Sequence, residues 1–397
     1  MQLADSWRAI GESLVSDGER GRGAGRHPRR VRPRSWRALF SNKPRSLLVP
    51  AHNRRAQRSS VDFFVTHPLN RLYARTLLGA HRWLPRSRLL PELTLPPVDG
   101  PTLLDQLLPP ASQIAFQIGT PGPYQKASML AMAPDGTPLL LAKIALKASA
   151  DEMVMTEARW LHELARLPRF EGKVPRLLKH GLTPNGRGYL AMSVAPTLAT
   201  TSAFTSAHRD FLADLARVRQ QVARFPDSPA CRYLARCFEQ LAPAMKPATA
   251  ALLGSALAEC AERLAGWHGP FVLAHGDFAP WNIRVHGAGI FVFDWEYAWE
   301  GSIPLRDVCH YCLAPAAVTG RNITAAQFES ALDHARDFAL AAHPGCDWQR
   351  PVIKALALGY LLHTVLCYSL SRGRVIEEHP VIRAYCRLIE ERAQWID

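Results

Sequence analysis

Residues 274–296 read AHGDFAPWNIRVHGAGIFVFDWE and place three oxygen-bearing side chains, Asp277, Asn282 and Asp294, around two short apolar runs. Pro280 keeps the loop HGDFAPWN from becoming a helix, so Asp277 and Asn282 can both be turned toward one cavity. The runs IRV and IFVF flank the Gly-containing turn HGAG, which predicts a β-hairpin. Such a hairpin brings Asp294 back toward Asn282.

The three side chains differ in the chemistry that they suit. Asn282 and Asp294 offer hard oxygen ligands of the kind that Mg²⁺ takes, with further positions kept for water and phosphate. Asp277 is left free of the metal and suits a base that orients an acceptor hydroxyl. This division of roles is the one that phosphoryl transfer uses. The spacing Asp-x-x-x-x-Asn is also that of the kinase catalytic loop.

HGDFAPWN followed by VFDWE resembles the aminoglycoside phosphotransferase and choline kinase superfamily, the small-molecule relatives of protein kinases. The resemblance implies an α+β, bilobal protein-kinase-like fold, with a small antiparallel-sheet N-lobe and a larger, mainly helical C-lobe. It implies that Asp277 is the catalytic base and that Asn282 and Asp294 hold Mg²⁺ for ATP or GTP. It also implies supporting roles for His275, which fixes the loop, and for Asp307 in PLRDV, which braces it from the next helix.

A kinase of this kind also needs a loop over the phosphates and a lysine held by a carboxylate. GTPGPYQK, with Gly119 and Gly122, lies between the first two predicted N-lobe strands and fits the loop. Lys143, inside the apolar strand LLLAKIA, resembles the strand lysine that contacts the α- and β-phosphates.

The carboxylate partner of that lysine is expected on the helix predicted over residues 150–167. Glu157 shares a helix face with Leu161 and Leu164, which favours it over Glu152 and Glu163. The strand GYLAMSVAP then leads into the expected hinge, where backbone groups from Met192 to Val194 would contact the nucleotide base.

Four segments follow from the pattern along the chain. Residues 1–60 are rich in Arg, Gly and Pro and are predicted to be a disordered basic tail. Residues 61–111 read as a helix followed by a Pro-rich linker. Residues 112–197 form the predicted nucleotide-binding N-lobe. Residues 198–397 form the predicted helical C-lobe, with the catalytic loop and the acceptor site.

The net charge of +14 is concentrated at the amino terminus. Residues 1–60 hold 14 Lys and Arg against 4 Asp and Glu, so the rest of the chain carries only +4. A nearly balanced body argues against specific nucleic-acid binding, and the tail is expected to make at most weak anionic contacts. A transit peptide is disfavoured by its four acids. A basic interaction tail and a start assigned too far upstream stay open.

The cysteines and the hydropathy predict a cytoplasmic protein. All eight cysteines lie between Cys231 and Cys386, unlike a disulfide framework spread over a secreted chain. The pair in Cys309-His-Tyr-Cys312 has metal or redox spacing, but no second pair matches it, so core packing is expected. No signal peptide or transmembrane segment is predicted. The apolar run from Ile353 to Leu370 contains Lys354 and His363 and is interpreted as a buried helix.

The acceptor is the least determined feature of the sequence. A polycationic aminoglycoside calls for an acidic cleft. The acids that a fold could gather are Glu296, Glu300, Glu377, Glu378, Glu390 and Glu391. A quaternary amine calls for an aromatic cage, for which Trp295, Tyr297 and Trp299 are candidates if the strand continues. The preferred acceptor is a hydroxyl of a sugar, of a glycoconjugate precursor or of another small metabolite, and an aminoglycoside-like acceptor stays within this class.

The function predicted from the sequence is an ATP-dependent, Mg²⁺-requiring O-phosphotransferase that acts on a small molecule. One alternative is a nucleotide-binding pseudokinase that scaffolds partners. Retention of Lys143, Asp277, Asn282 and Asp294 counts against it. The other alternative is an atypical protein kinase, which the short segment from Asp294 to Pro304 disfavours because it leaves little room for an activation segment.

Overall fold

The computed structural model describes residues 2–14, 35–40, 45–83, 90–95, 102–109, 111–372, 375 and 377–397. The chain divides into two compact units, Met1–Leu198 and Ala199–Asp397. The first unit carries an eight-stranded antiparallel sheet and the second is mainly helical. The predicted α+β class is therefore confirmed.

The first unit is built on one sheet with helices packed against it. Its strands are β1 (Ser35–Leu39), β2 (Ser46–Pro50), β3 (Glu92–Thr94), β4 (Gln113–Ile118), β5 (Lys126–Met132), β6 (Pro138–Ala145), β7 (Leu177–Leu182) and β8 (Gly188–Met192). Its helices are α1 (Gln2–Leu14), α2 (Arg54–Phe64), α3 (Pro68–Trp83), α4 (Leu103–Leu107) and α5 (Asp151–Leu164). The strand order is β3-β1-β2-β4-β5-β6-β8-β7.

Strands β4 to β8 and helix α5 coincide with the sequence predictions. The runs QIAFQI and PLLLAKIA form β4 and β6 over their whole length. Strand β6 lies between β5 and β8, with Lys143 opposite Ser128 on one side and Leu190 on the other. Lys143 therefore lies in the interior of the sheet and not at an edge.

The prediction of a disordered tail over residues 1–60 is wrong for the part that the structure describes. Helix α1 buries Trp7, Ile10 and Leu14, whose spacing places them on one helix face. The indole of Trp7 packs against Trp36 of β1, with ring centroids 5.1 Å apart, and against Phe116 of β4 at 6.0 Å. The Arg- and Gly-rich composition around these short apolar patterns concealed them. Residues 15–34 and 41–44 lie outside the described residues.

The predicted helix and linker over residues 61–111 also differ from the structure. The helical part consists of two helices, α2 and α3, and the second begins at Pro68, a residue suited to the first turn. The Pro-rich part contains β3 and the short helix α4, which Thr102 and Asp105 cap reciprocally. Residues 84–89, 96–101 and 110 of this segment lie outside the described residues.

The second unit is mainly helical with two small sheets. Its helices are α6 (Ser206–Ala216), α7 (Pro229–Leu241), α8 (Pro247–Arg263), α9 (Arg306–Val318), α10 (Ala325–Ala342), α11 (Arg350–Leu370) and α12 (Pro380–Glu390). Its strands are β9 (Gln220–Arg224), β10 (His268–Ala274), β11 (Ile283–His286), β12 (Gly289–Val292) and β13 (Trp299–Ser302). One sheet has the order β13-β10-β9, and β11 pairs with β12.

Two differences from the predicted helices have clear causes. The sequence predicts one helix over residues 204–223, but α6 ends at Ala216 because residues 220–224 form β9 and pair with β10. Helix α7 was not among the predictions. It is capped by Ser228, whose hydroxyl accepts from the backbone N–H of Cys231, and Pro229 occupies its first turn.

Helix α11 corresponds to the long apolar run and packs inside the second unit. It is long and apolar enough to cross a membrane by length and composition alone, and 72% of that apolar window is buried within the protein. The eight cysteines all lie in this unit, and all of them are free thiols. Burial raises the pKa of Cys309 and Cys312, so both thiols stay protonated, as the core-packing interpretation requires.

Candidate active site

The loop between β10 and β11 holds the first two predicted functional side chains in direct contact. Nδ2 of Asn282 donates to Oδ2 of Asp277 at 2.8 Å and to the backbone oxygen of Asp277 at 3.0 Å. Pro280 opens a single 3₁₀ turn that ends at Asn282, which is how the residues meet across a separation of five. The indole Nε1 of Trp281 donates to the same carboxylate oxygen at 3.4 Å.

Asp307 holds the start of this loop from the first turn of α9. Its two carboxylate oxygens accept from the backbone N–H groups of His275 at 2.6 Å and of Gly276 at 3.0 Å. Gly276 has φ = 87°, and a Cβ at this position would lie 2.1 Å from the carbonyl oxygen of Tyr297. The turn therefore requires glycine. Asp307 satisfies two buried donors that the turn would otherwise leave unpaired.

His275 fixes the loop from inside the unit. Its ring is buried, and Nε2 lies 3.1 Å from the backbone oxygen of Phe293, which can only accept a hydrogen bond. Nδ1 accepts from the backbone N–H of Asp277 at 3.3 Å. These two bonds select the neutral tautomer with the proton on Nε2. Burial lowers the pKa of His275, which acts in the same direction.

The β11–β12 hairpin returns the chain to the loop. Ile283 pairs with Val292, and the backbone N–H of Phe293 donates to the oxygen of Asn282 at 3.1 Å. Asp294, the next residue, has φ = 74° and ψ = 58°. The left-handed conformation is uncommon for a residue other than glycine, and such strain is concentrated at functional sites. The hairpin thus brings the backbone of Asp294 next to that of Asn282.

A residue that the sequence reasoning did not assign to the site also contacts Asp277. Nε2 of His310 lies 2.9 Å from Oδ1 of Asp277, and Nδ1 lies 3.3 Å from the hydroxyl of Tyr360. That hydroxyl lies 2.7 Å from the hydroxyl of Tyr385. The available signal was helical spacing, since His310 follows Asp307 by one turn and shares its face of α9. The interpretation of CHYC as core packing applied to the cysteines and missed the histidine between them.

In the first unit, Lys143 and Glu157 form a buried ion pair. Nζ of Lys143 lies 2.6 Å from Oε2 of Glu157. Lys143 is 7% exposed and Glu157 is fully buried. The rivals Glu152 and Glu163 are less buried. A buried charge pair is costly unless each partner satisfies the other.

The glycine loop and the expected hinge lie at the ends of strands of the same sheet. The N–H of Gly119 donates to the oxygen of Lys126 at 2.8 Å, and a Cβ on Gly119 would lie 2.9 Å from that oxygen. The backbones that flank the loop therefore approach closely only because residue 119 is glycine. Gly122 lies further along the loop. Met192 ends β8 and is buried, and Val194 follows it in the segment that leads out of the unit.

Comparison with known proteins decides the family. The model of a phosphotransferase enzyme family matches residues 134–346, more than half of the 397 residues. The chain belongs to this phosphotransferase family. The matched range contains Lys143, Glu157, the loop from His275 to Asn282, Asp294 and Asp307. The prediction that the chain is a phosphotransferase is thereby confirmed.

Solved structures of similar fold include small-molecule kinases. A thermostable mutant of an aminoglycoside phosphotransferase is 17% identical to this phosphotransferase, with a TM-score of 0.45, covering 69% of this chain and 93% of that one. Choline kinase from Cryptosporidium parvum is 11% identical, with a TM-score of 0.48 and coverages of 71% and 89%. Ethanolamine kinase from Plasmodium vivax is 12% identical, with a TM-score of 0.48 and coverages of 86% and 94%. No curated protein matches the chain.

Proposed function

We propose that this phosphotransferase transfers the γ-phosphoryl group of ATP to an alcohol hydroxyl of a small molecule, with Asp277 as the base. The observation that carries the proposal is the contact between Asp277 and Asn282, on a loop that Asp307 and His275 hold. Asp277 lines an open pocket of the second unit, so its carboxylate is accessible to an acceptor. GTP has no support in the chain, and the proposal is for ATP.

In the proposed transfer, Asp277 receives the proton, the acceptor oxygen receives the phosphoryl group and ADP is the leaving group. A carboxylate oxygen of Asp277 accepts the proton of the acceptor hydroxyl as the acceptor oxygen forms its bond to the γ-phosphorus. The bond from that phosphorus to the β,γ-bridging oxygen breaks, and ADP leaves with the electron pair. The donors on Asp277, from Asn282 and His310, hold the carboxylate in one orientation while the hydroxyl approaches.

The donor set near the hairpin fits Mg²⁺. The amide nitrogen of Asn282 is committed to Asp277, so its oxygen is the atom suited to a cation. Asp294 adds a carboxylate, and hard oxygens are what Mg²⁺ prefers. When bound, Mg²⁺ would neutralise charge on the phosphate oxygens. Asn282 and Asp294 are therefore the proposed ligands.

Nucleotide-binding roles are proposed for the first unit. Lys143 carries a buried charge that Glu157 orients, as a lysine that contacts the α- and β-phosphates requires. Gly119 and Gly122 belong to the proposed phosphate-covering loop, and Met192 to Val194 are the proposed contacts to the base. The eight free cysteines support a reducing, cytoplasmic location.

The two alternative functions have less support. A pseudokinase would have no reason to retain a base with three hydrogen-bonding side chains around it. An atypical protein kinase would need an activation segment after Asp294. Residues 295–302 instead form a 3₁₀ turn and strand β13, which pairs with β10.

The test is a comparison of two substitutions in the purified full chain. Asp277→Asn should lower kcat about 10²–10⁴-fold, the usual contribution of general base catalysis, and leave ATP binding intact. Asp294→Asn should instead weaken Mg²⁺-dependent ATP binding. The activity is measured with labelled ATP against a panel of hydroxylated metabolites, and the affinity by calorimetry.

The matched control is Asp210→Asn, which removes an exposed carboxylate of α6 whose ion pair within the described residues is with Arg209. It should change neither quantity. Unchanged transfer by Asp277→Asn would remove the proposed mechanism. Tight ATP binding by the unmodified chain, with no transfer to any member of the panel, would favour the pseudokinase.

A further inference from the structure

The second unit contains a pocket of about 310 Å³ beside Asp277. Two half-exposed aromatic rings, Trp281 and Tyr297, form part of its wall, with exposures of 37% and 50%. Much of the remaining wall is apolar and comes from Ala314, Ala317, Val318 and Val381. A volume of this size and an apolar wall are typical of a small-molecule site.

Positive side chains outnumber negative ones among the described residues that line this pocket. Arg306 and Arg372 both line it, and Asp277 is the one carboxylate among its described lining residues. The described chain places no carboxylate within ion-pair distance of either guanidinium. The carboxylate of Asp277 offsets one of the two guanidinium charges, so the excess of positive charge in the described lining lies with the arginines and favours an anionic group on the acceptor.

Four of the six acids that could have made the pocket suitable for a polycation form ion pairs with basic residues that do not line it. Glu300 lies 3.6 Å from Arg219, and Glu391 lies 2.8 Å from Arg387. Glu377 and Glu378 both pair with Lys246. Neither Glu296 nor Glu390 is among the described residues that line the pocket. The acidic cleft that an aminoglycoside requires is therefore absent from the described part of this pocket.

The aromatic cage considered for a quaternary amine does not assemble either. Trp295 is fully buried, and Trp299 stacks on His363 with centroids 5.8 Å apart, so Tyr297 is the member of the three that lines the pocket. The guanidinium carbon of Arg372 lies 3.7 Å from the centroid of the Tyr368 ring. Arg372 therefore already occupies one face of the Tyr368 ring, which lines the same pocket.

Arg372 keeps N–H donors for a ligand, whereas Arg306 contributes its charge. Nη2 of Arg306 donates to the backbone oxygen of Gly276 at 3.1 Å, while its buried Nε has no acceptor in the described chain. Nη2 of Arg372 donates to the hydroxyl of Tyr368 at 2.8 Å. Nη1 donates to the backbone oxygen of Tyr368 at 3.2 Å and to the hydroxyl of Ser371 at 3.4 Å. A guanidinium has five N–H donors and pairs well with planar anions.

We propose that the acceptor of this phosphotransferase is a hydroxy acid with an apolar or aromatic body. Its carboxylate is bound by Arg372 and attracted by the charge of Arg306, its body contacts Trp281 and the apolar wall, and its hydroxyl faces Asp277. Recognition of the anion rests on the pocket alone, whereas phosphorylation of the hydroxyl rests on the proposed function. The two parts can be tested separately.

The binding test uses three probes with the same phenyl body and without nucleotide: 3-phenyllactate, its neutral methyl ester, and the cationic 2-amino-3-phenylpropan-1-ol. Calorimetry on the full chain should give an affinity for the acid at least tenfold above that for the amine, with the ester between them. Arg372→Gln should weaken the acid at least tenfold and leave the amine unchanged. Arg372→Glu should make the amine the tighter ligand.

Arg387→Gln is the control, because this exposed arginine of α12 pairs with Glu391 and does not line the pocket. It should preserve the order of the three probes. An amine that binds the unmodified chain as tightly as the acid, or an acid affinity that Arg372→Gln leaves unchanged, overturns the hydroxy-acid proposal. Preferential binding of the acid without phosphoryl transfer from ATP supports the recognition and counts against the proposed function.

Discussion

Nε2 of His310 lies 2.9 Å from Oδ1 of Asp277, so the proposed base is held on both of its oxygens, by His310 on one and by Asn282 on the other. An ionised carboxylate only accepts hydrogen bonds, so Nε2 carries a proton and donates. Nδ1 is within 3.3 Å of the hydroxyl of Tyr360, which fixes the ring from behind. His310 is therefore a positioning residue for Asp277.

Substitution of His310 should slow the chemical step more than it weakens ligand binding. Without the imidazole, the carboxylate of Asp277 keeps side-chain donors on Oδ2 alone, from Asn282 and Trp281. Its other oxygen, Oδ1, is then no longer held in place. A misplacement of about 1 Å can cost 10²-fold in rate. We expect His310→Ala to lower kcat about 10–100-fold with the dissociation constant of ATP unchanged. Steady-state kinetics and calorimetry separate the two quantities.

Rescue by a conservative variant distinguishes positioning from simple damage to the fold. The side-chain amide of His310→Gln can still donate to Asp277 and should recover part of the lost kcat. The control is His286→Ala, at the exposed end of the β11–β12 hairpin, which should behave as the unmodified chain. Equal kcat values for His310→Ala and the unmodified chain would exclude the positioning role.

The ion pair of Lys143 and Glu157 should show strong energetic coupling. Breaking a buried ion pair by removing one member costs about 3–5 kcal/mol. We therefore expect Glu157→Gln to lower the free energy of unfolding of the first unit by that amount. The double variant Lys143→Met with Glu157→Leu should cost less than the sum of its single variants. Urea denaturation of the full chain measures the cycle.

An exposed pair in the same unit provides the comparison for this cycle. Arg75 pairs with Asp62, and their side chains are 40% and 25% exposed. Solvent-exposed pairs of this kind contribute about 0–1 kcal/mol, so Arg75→Gln should have a small effect. A Glu157→Gln variant no less stable than Arg75→Gln would mean that solvent or another group compensates Lys143.

The sequence was sufficient for elements whose pattern is local. The alternation in QIAFQI and PLLLAKIA predicted β4 and β6, and the turn HGAG predicted the hairpin that returns the chain from Asn282 to Asp294. The contact of Lys143 with Glu157 was predicted because a strand that carries the lysine precedes a helix whose apolar face carries the glutamate. In each case the residues that decide the geometry are close together in the chain.

Features that depend on distant parts of the chain were not accessible in this way. His310 contacts Asp277 across 33 residues, and Ser6 contacts Gln125 across 119. The composition of the amino-terminal segment concealed α1, because the short helix with its three buried side chains is followed by a run rich in Arg and Gly. The charge of the pocket beside Asp277 depended on which acids pair with Lys246, Arg219 and Arg387. A single sequence does not encode such pairings in a readable pattern.

The second unit should lose stability as the pH falls below neutrality. Burial lowers the pKa of His208 and of His343 to about 4. The same histidines have a pKa near 6.5 when unfolded, so below that pH the unfolded chain binds protons that the folded chain does not. Stability is fully present above pH ~6.5 and falls toward pH ~4, by ~1.4 kcal/mol per pH unit for each histidine.

His208 allows this pH dependence to be assigned. Its Nδ1 accepts from the backbone N–H of Thr205 at 3.1 Å, a bond that protonation would break, and it lies 2.8 Å from the Thr205 hydroxyl. His208→Gln should reduce the slope of the unfolding free energy against pH between pH 6 and pH 5, by the ~1.4 kcal/mol per pH unit that one bound proton contributes. Urea titrations at several pH values measure this slope. The surface variant His268→Gln should keep the slope. A His208→Gln slope identical to that of the unmodified chain would be the contrary result.

Helix α1 should be part of the folded first unit and not an appendage. Trp7 packs on Trp36 and Phe116, and Ser6 accepts from the side chain of Gln125, which also donates to the oxygen of Gly119. Trp7→Ala should cost about 3–5 kcal/mol through the lost packing. Arg8→Ala, on the exposed face of the same helix, should have almost no effect. Thermal unfolding of the full chain compares them, and equal midpoints would mean that α1 does not pack in solution.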